Sequence, residues 1–395
     1  MKRALIGWEL GANWGHLARD LPIALALRQR GYEVLFAARD VQVAERILGP
    51  PSIAYVQSPL PPPKLIRAPP PANLAEILNA QGYASAPILR GLVRSWLSLF
   101  ALFKPDVIVA DFAPTTTLAA RISGLPVICI GEGFDQPPPL QPLPSIRPWE
   151  TVPQERLRAS EAALLEALNT TLAAFGSPTL HQVCDFFSLA TPLLSTLPEL
   201  DYFGPRPGGT YVGPIYSTPA GACDAPWPAA SGPKILGYLR AQTKGIESLV
   251  EILEKFGATV LCVPGAVPRP SSSGNCAIYS DAVRLEALLP EADIVVTNGN
   301  VTTSARALLA GVPVLSLPIV VEQQLAATRI ERLKVGLTAD SREGIDLHAQ
   351  LKQLLTGPYR NEASRFAARY AHESVGVATE RGCALIEAAA CGSGR

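Results

Sequence analysis

The sequence predicts an α/β protein with two doubly wound domains, and three observations carry that prediction. Short continuous apolar runs such as Ile294-Val295-Val296 alternate with segments of helical period, as strands buried on both faces of a parallel sheet alternate with their crossover helices. The chain has 395 residues, beyond the size at which one hydrophobic core usually keeps growing. Between two such alternating halves lies Ser217 to Pro233, rich in Pro, Ala, Gly and Ser, which is linker composition.

Composition narrows the class. Lys and Arg total 34 and Asp and Glu total 34, so neither a basic nucleic-acid footprint nor an acidic tail is present. No apolar run reaches the roughly 18 residues of a membrane span. The N-terminus enters the strand Arg3 to Gly7 directly, without a signal-peptide pattern. The seven cysteines are scattered, with no CxxC or Cys/His ligand spacing, which argues against a disulfide framework and against zinc. A soluble, cytoplasmic protein is expected.

In chain order, Ala4 to Trp8 reads as the first strand, followed by a loop through Gly15 and then His16. The next helix places Leu17, Leu21, Ala24, Leu25 and Leu27 on its apolar positions and stops at Arg30-Gly31, a cationic last turn and a glycine. Glu33 to Ala37 is the second strand, completing a βαβ unit whose glycine spacing is not the dinucleotide fingerprint. A His at the entry to this helix lies at the carboxyl end of the sheet, where doubly wound domains bind ligands. Its imidazole suits proton removal near neutrality, or serves only as a hydrogen bonder at the helix entry.

Ile53 to Gln57 is a third strand, followed by proline-rich loop at Ser58–Pro63 and Ala68–Pro71. Leu74 to Phe103 is helical by period, broken near Gly82 and Pro87. Its apolar second part, Ile88 to Phe103, reads as a core or pocket-lining helix rather than a membrane-surface helix, which would carry more basic residues. Pro105 to Asp111 is a buried strand ending in a carboxylate, Thr115 to Ser123 a helix and Val127 to Ile130 a strand. Asp111 has two readings. It faces the crevice of His16 and orients the imidazole, or it caps the helix beginning near Thr115. Gly131 to Glu150 is a Pro-rich connection with Phe134 and Trp149, and Gln154 to Phe175 is an amphipathic helix.

The second half opens with a strand from Lys234 to Leu239, a helix from Thr243 to Phe256, and strands at Thr259–Val263 and Ala277–Tyr279. From Asp293 to Gln324 the chain runs strand, turn, helix, strand and loop. Asn298-Gly299-Asn300 forms the turn, Thr302, Thr303 or Ser304 offers the helix N-cap, and Gly311-Val312-Pro313 ends the helix. Such a unit aims helix N-terminal N–H groups past the strand's carboxyl end, which suits a phosphate. Helices at Ile345–Leu355, Tyr359–Tyr370 and Val375–Ala389 follow, and the tail Cys391 to Arg395 is expected to fray.

This last unit resembles the donor-binding motif of the family 1 (UDP-glycosyltransferase-like) glycosyltransferases at Gly299, Thr302 or Thr303, Gly311, Pro313, Pro318, Glu322 and Gln323. It departs at Asn298, where that family has His, at Asn300 in a Gly position, and at Arg306, where an acid is usual. Gly15-His16 is similar to the family's first loop, Asp111 matches its dyad aspartate, and Val212-Gly213-Pro214 resembles its domain boundary.

The resemblance implies a GT-B fold: two Rossmann-like doubly wound domains facing a central cleft. Residues 1–216 would form an acceptor-binding domain, 217–232 a linker and 233–375 a donor-binding domain, with a terminal helix at 376–395 packing back on the first domain. It implies an inverting, metal-independent glycosyltransferase (hexosyltransferase) with no cofactor, taking a nucleotide-diphosphate sugar, UDP- or dTDP-linked, as co-substrate. His16 would be the general base and Asp111 its orienter. Arg240, Val283, Asn298, Gly299, Asn300, Thr302, Thr303, Glu322 and Gln323 would bind the donor. Trp14, Phe134 and Trp149 would line the site of a small-molecule or lipid-like acceptor, with peripheral membrane contact compatible with the composition. Because Asn298 cannot become cationic as His can, Arg240 and Arg306 are the candidates to stabilise the leaving group. The alternatives are a nucleotide-sugar hydrolase or epimerase of the same fold, and a non-catalytic helper that binds the donor.

Overall fold

A computed structural model describes residues 1–12, 14–62, 69–218, 222–243, 245–264, 274–339 and 346–392. Parts of the expected linker (219–221), of the proline-rich loop (63–68) and of the C-terminal tail (393–395) lie outside the described residues. The chain divides into two compact units: Met1–Ser195 with Pro205–Ser217 and Val375–Arg395, and Thr196–Gly204 with Thr218–Ser374.

The first unit runs β1 (Lys2–Trp8), α1 (Gly15–Gln29), β2 (Tyr32–Ala38), α2 (Val41–Leu48), β3 (Ala54–Gln57), α3 (Leu74–Ala80) and α4 (Ala86–Phe103). It continues through β4 (Val107–Asp111), α5 (Pro114–Ser123), β5 (Val127–Gly131), α6 (Gln154–Ala174), α7 (Val183–Phe187) and β6 (Thr191–Leu194). Its parallel sheet has the order β3-β2-β1-β4-β5-β6. Neither α2 nor β6 was expected. Asp40 starts α2 by accepting hydrogen bonds from Gln42 N and Val43 N, the capping pattern of a short acidic side chain.

The second unit runs β7 (Lys234–Tyr238), α8 (Ile246–Phe256), β8 (Ala258–Cys262), β9 (Cys276–Tyr279), α9 (Leu285–Leu288) and β10 (Ile294–Thr297). It continues through α10 (Val301–Leu309), β11 (Val314–Ser316), α11 (Val321–Arg332), β12 (Gly336–Thr338), α12 (Leu347–Thr356) and α13 (Tyr359–Arg369). Its sheet order, β12-β11-β10-β7-β8-β9, repeats that of the first. Each sheet therefore reverses direction beside its first strand, between β1 and β4 and between β7 and β10. Ligands of open α/β sheets bind at the carboxyl ends of such strands.

Three features depart from the sequence-based expectations. Residues 196–204, expected in the first domain, group with the second unit. The Glu199 carbonyl accepts from Arg329 Nε at 3.1 Å, and its carboxylate pairs with Arg369 at 3.1 Å. Cys391 and Gly392, expected to fray, complete α14 (Val375–Gly392), whose Ala378, Cys383 and Ile386 join the core of the first unit with Leu17, Ile23 and Ile128. Finally, α4 is long and apolar enough, by length and composition alone, to cross a membrane. In this fold its Leu89, Leu92, Val93, Trp96 and Phe100 are buried, and it packs against α5 and α6.

α1 carries Pro22 in its interior. Proline has no N–H for the carbonyl four residues earlier, and the Ser217 hydroxyl supplies that hydrogen bond to Ala18 O at 2.8 Å. The helix continues past the proline to Gln29.

Candidate functional site

At the switch point of the first sheet, His16 begins the first turn of α1 and Asp111 ends β4. His16 Nδ1 lies 2.9 Å from Asp111 Oδ1. The Asp111 side chain is fully buried, whereas that of His16 retains 18% of its exposure. Burial works to raise the Asp111 pKa, but the Arg19 guanidinium and His16 outweigh it and hold the carboxyl at about 2. An ionised carboxylate can only accept, so in the tautomer whose Nδ1–H donates to Asp111, Nε2 is the bare nitrogen.

The imidazole stacks on Trp8, with ring centroids 5.3 Å apart, and the loop after β1 crosses its other end at Gly11. A Cβ added to Gly11 would stand 2.1 Å from His16 Nε2, and the residue's φ is +84°. Both space and backbone conformation therefore require glycine there. Asp111 is aimed by its neighbour Phe112, a non-glycine residue at φ +43° whose carbonyl accepts from Leu10 N at 3.0 Å. Positive φ at an aromatic residue is strained backbone of the kind that clusters at functional sites.

The two readings of Asp111 separate here. α5 has no side-chain cap from Asp111. Its N-terminus is satisfied by Glu9, a fully buried residue that follows β1. Glu9 Oε1 accepts from Thr116 N and Oγ1, both at 2.6 Å. Its Oε2 accepts from Thr115 N, Thr115 Oγ1 and Tyr83 OH at 3.1, 2.7 and 3.1 Å. A carboxylate facing helix N–H groups is favoured by the helix dipole. With Glu9 in that role, Asp111 is left to His16.

Sequence reading missed Arg19 and the cavity beside the pair. Arg19 Nη2 donates to Asp111 Oδ1 at 2.5 Å and lies 3.2 Å from His16 Nδ1. A small pocket open to solvent is lined by Leu78, Phe112, Cys129, Asp135, Gln136 and Phe186, among others. Gln136 is 5% exposed, and both polar atoms of its amide are buried without a hydrogen-bond partner among the described residues. Burial first, and then the Asp111 charge, raise the Asp135 carboxyl to about 7.

The three expected acceptor residues are not among those lining this cavity. Trp14 packs on the core of the first unit, with the Arg46 guanidinium 5.4 Å from its ring. Phe134 is buried, and Trp149, 39% exposed, lies under the Arg147 guanidinium. Phe186 and Phe187 belong to a five-residue helix with no local pattern that marks a pocket.

In the second unit, Asn298 is fully buried and already committed. Its Oδ1 accepts from Arg240 N at 2.7 Å, and its Nδ2 donates to Thr243 Oγ1 at 3.0 Å and Leu317 O at 2.9 Å. An amide donates and accepts at once, so Asn298 ties together the segments that follow β7, β10 and β11. Expected to bind the donor, Asn298 here holds the loops beside the start of α10.

The N-cap of α10 is Asn300 rather than Thr302, Thr303 or Ser304, which fall in the first turn. Gln323, expected to meet sugar hydroxyls, is buried. Its Oε1 accepts from Ile319 N and its Nε2 donates to Asn300 Oδ1, both at 3.0 Å. Gly299 turns at φ +89° against Gln323 O, which a Cβ would approach to 2.8 Å. Val283 is buried and bridges to Cys223. Arg306 lies in the last turn of α10 and pairs with Glu286 at 2.6 Å. Glu322 Oε1 accepts from Tyr202 OH at 2.9 Å. Arg240 is half-buried beside the Asn298 latch.

No protein-family model matches the chain. It is 25% identical over 388 residues to a PGL/p-HBAD biosynthesis glycosyltransferase of Mycobacterium tuberculosis, covering 92% of this chain and 88% of that protein. Among solved structures, it is similar to the glycotransferase of kitacinnamycin with a TM-score of 0.72 at 20% identity, covering 98% of each chain. It is also similar to the glycosyltransferase VinC in complex with dTDP, with a TM-score of 0.68 at 19% identity over 98% of this chain and 99% of that one. The fold is the one these glycosyltransferases share.

Proposed function

We propose that this chain, a GT-B-fold glycosyltransferase similar to the family 1 enzymes, transfers a hexose from a nucleotide-diphosphate donor to a hydroxyl of a small-molecule or lipid-like acceptor, with inversion and without a metal. The observation that carries the proposal is the 2.9 Å contact between His16 Nδ1 and the buried Asp111 carboxylate. It leaves Nε2 as the proton acceptor at the carboxyl end of the central strands.

In this reading, His16 Nε2 takes the acceptor hydroxyl proton as the oxygen attacks the anomeric carbon, and Asp111 stabilises the imidazolium that forms. Phe112 and Phe186, beside the His16–Asp111 pair's strand end, offer aromatic faces against which part of an acceptor can pack. On the donor side, the N–H groups of Val301, Thr302 and Thr303 at the start of α10 receive the diphosphate as charge develops on the leaving group. Glu322 accepts from sugar hydroxyls, while Asn298 and Gln323 hold the turn that presents those N–H groups. The dTDP in the VinC structure supports a pyrimidine nucleotide donor.

The test is nucleotide-diphosphate release from a panel of UDP- and dTDP-sugars, with His16→Ala as the comparison. Loss of about 100-fold or more in acceptor-dependent release is expected for removal of a general base. Undiminished transfer by His16→Ala would overturn the assigned role. Release of free sugar without any acceptor would assign the chain to the hydrolases.

A further inference from the structure

β4 and β5 run side by side with Asp111 in register with Ile130. The small pocket begins one residue beyond this pair. Phe112 and Ala113, which follow Asp111, line it together with Asp135 and Gln136 from the loop after β5. Gln136 Nε2 and Oε1 and Asp135 Oδ2 are all buried with no hydrogen-bond partner among the described residues. Buried polar groups are nearly always paired, and each exception calls for a reason.

The loop is held so that these atoms stay where they are. The Arg206 guanidinium donates to Gln136 O and, at 3.0 Å, to Gly133 O. Arg206 is itself fixed by its N–H, which donates to Tyr211 OH at 3.0 Å. A Cβ on Gly131, the last residue of β5, would stand 2.5 Å from Asp135 Oδ1 and 2.8 Å from Gln136 Nε2. Glycine there lets both side chains fold back over the strand end.

We propose that Gln136 is a specificity-determining residue: its amide, with Asp135 beside it, binds a second, neutral hydroxyl of the acceptor, apart from the hydroxyl that receives the sugar. The proposal rests on the glycosyltransferase reading above and adds an acceptor class, an apolar ring framework that carries at least two hydroxyls.

The unmet atoms decide the chemistry. Nε2 only donates and Oε1 only accepts, so one group satisfies both only if it accepts and donates at once. A hydroxyl is the smallest substituent that does. A carbonyl or carboxylate leaves Oε1 unmet, and an ammonium leaves Nε2 unmet. The remaining wall includes Leu78, Pro114, Phe186 and Phe187, whose apolar and aromatic surfaces suit the ring that bears the hydroxyl. In the free chain an idle buried amide is worse for stability than an apolar side chain of the same shape, a cost of the kind that binding sites carry.

The test uses the full chain and needs no turnover. Gln136→Met, unbranched and of similar length, is expected to melt without ligand at the wild-type midpoint or up to about 4 °C above it. Binding of catechol, resorcinol and hydroquinone is compared by ligand-observed NMR with binding of their monomethyl ethers. The wild-type chain is expected to bind at least one diol about tenfold more tightly than its ether, and Gln136→Met to bind that pair within about twofold. A variant midpoint below wild type assigns the amide to the fold and overturns the proposal. So does a wild-type chain that prefers none of the diols, or a preference that survives in Gln136→Met. Failure of the glycosyltransferase reading shows elsewhere, in undiminished transfer by His16→Ala, so the two failures are distinct.

Discussion

Glu9→Gln tests the idea that one buried carboxylate releases Asp111 for His16. Glu9 accepts five hydrogen bonds, four of them from the first turn of α5. An amide keeps one oxygen and replaces the other with an N–H donor. Whichever way it turns, the backbone N–H of Thr115 or Thr116 faces that donor, and unlike a hydroxyl it cannot rotate away. An orphaned buried N–H costs about 1–3 kcal/mol, and losing a charge at a helix N-terminus costs about 0.3–2 kcal/mol. Burial raises the Glu9 pKa against the Thr116 and Thr115 hydrogen bonds, so removing the charge also relieves desolvation. The net expectation is a loss of about 2 kcal/mol. Urea unfolding at pH 7 reads the global change, and hydrogen exchange at α5 amides reads the local one as roughly 30-fold weaker protection. Transfer activity is expected to fall while the chain is still folded, because a loosened α5 recruits Asp111 as its cap. Wild-type urea midpoint and α5 protection in Glu9→Gln would refute the reasoning.

Two further substitutions probe the loops. Gly11→Ala places a Cβ 2.1 Å from His16 Nε2 at φ +84°; it is expected to lower kcat by about 100-fold or more through the misplaced imidazole, read by steady-state kinetics with circular dichroism as the folding control. Asn298→His, which installs the residue common in the family, leaves at least one of three buried hydrogen bonds unmade. A loss of about 1–3 kcal/mol in thermal unfolding is expected, along with weaker dTDP or UDP binding by calorimetry; tighter nucleotide binding would overturn the latch reading.

Much of the fold was legible because parallel strands buried on both faces announce themselves as unbroken apolar runs, as Val107–Ala110 and Ile294–Val296 do. The pairing of His16 with Asp111 was legible for a related reason: each stands at the carboxyl end of a strand beside the switch point. Glu9 was not, because its Thr115 and Thr116 partners lie 106 and 107 residues away and nothing local distinguishes it from a loop acid. Arg19 was within reach, since its spacing from His16 is helical, but the carboxylate that gives the spacing meaning comes from β4. Asn298 was expected among the donor-binding residues, and its role in holding the loops was hidden because its three hydrogen bonds go to segments separated from it in sequence. The glycosyltransferase frame was readable from motif spacing, whereas the cavity residues Phe186 and Phe187 needed the folded chain.

α14 carries a consequence for how the molecule is made. Gly382 sits so close to α1 that a Cβ would approach Ile23 Cδ1 to 2.9 Å, and Cys383 and Ile386 fill the same core. The ribosome delivers these residues after every strand of both sheets. Although domains generally fold in the order of synthesis, the unit whose strands are made first is completed only after those of the second, and the helix bearing His16 waits for α14 to find its full packing.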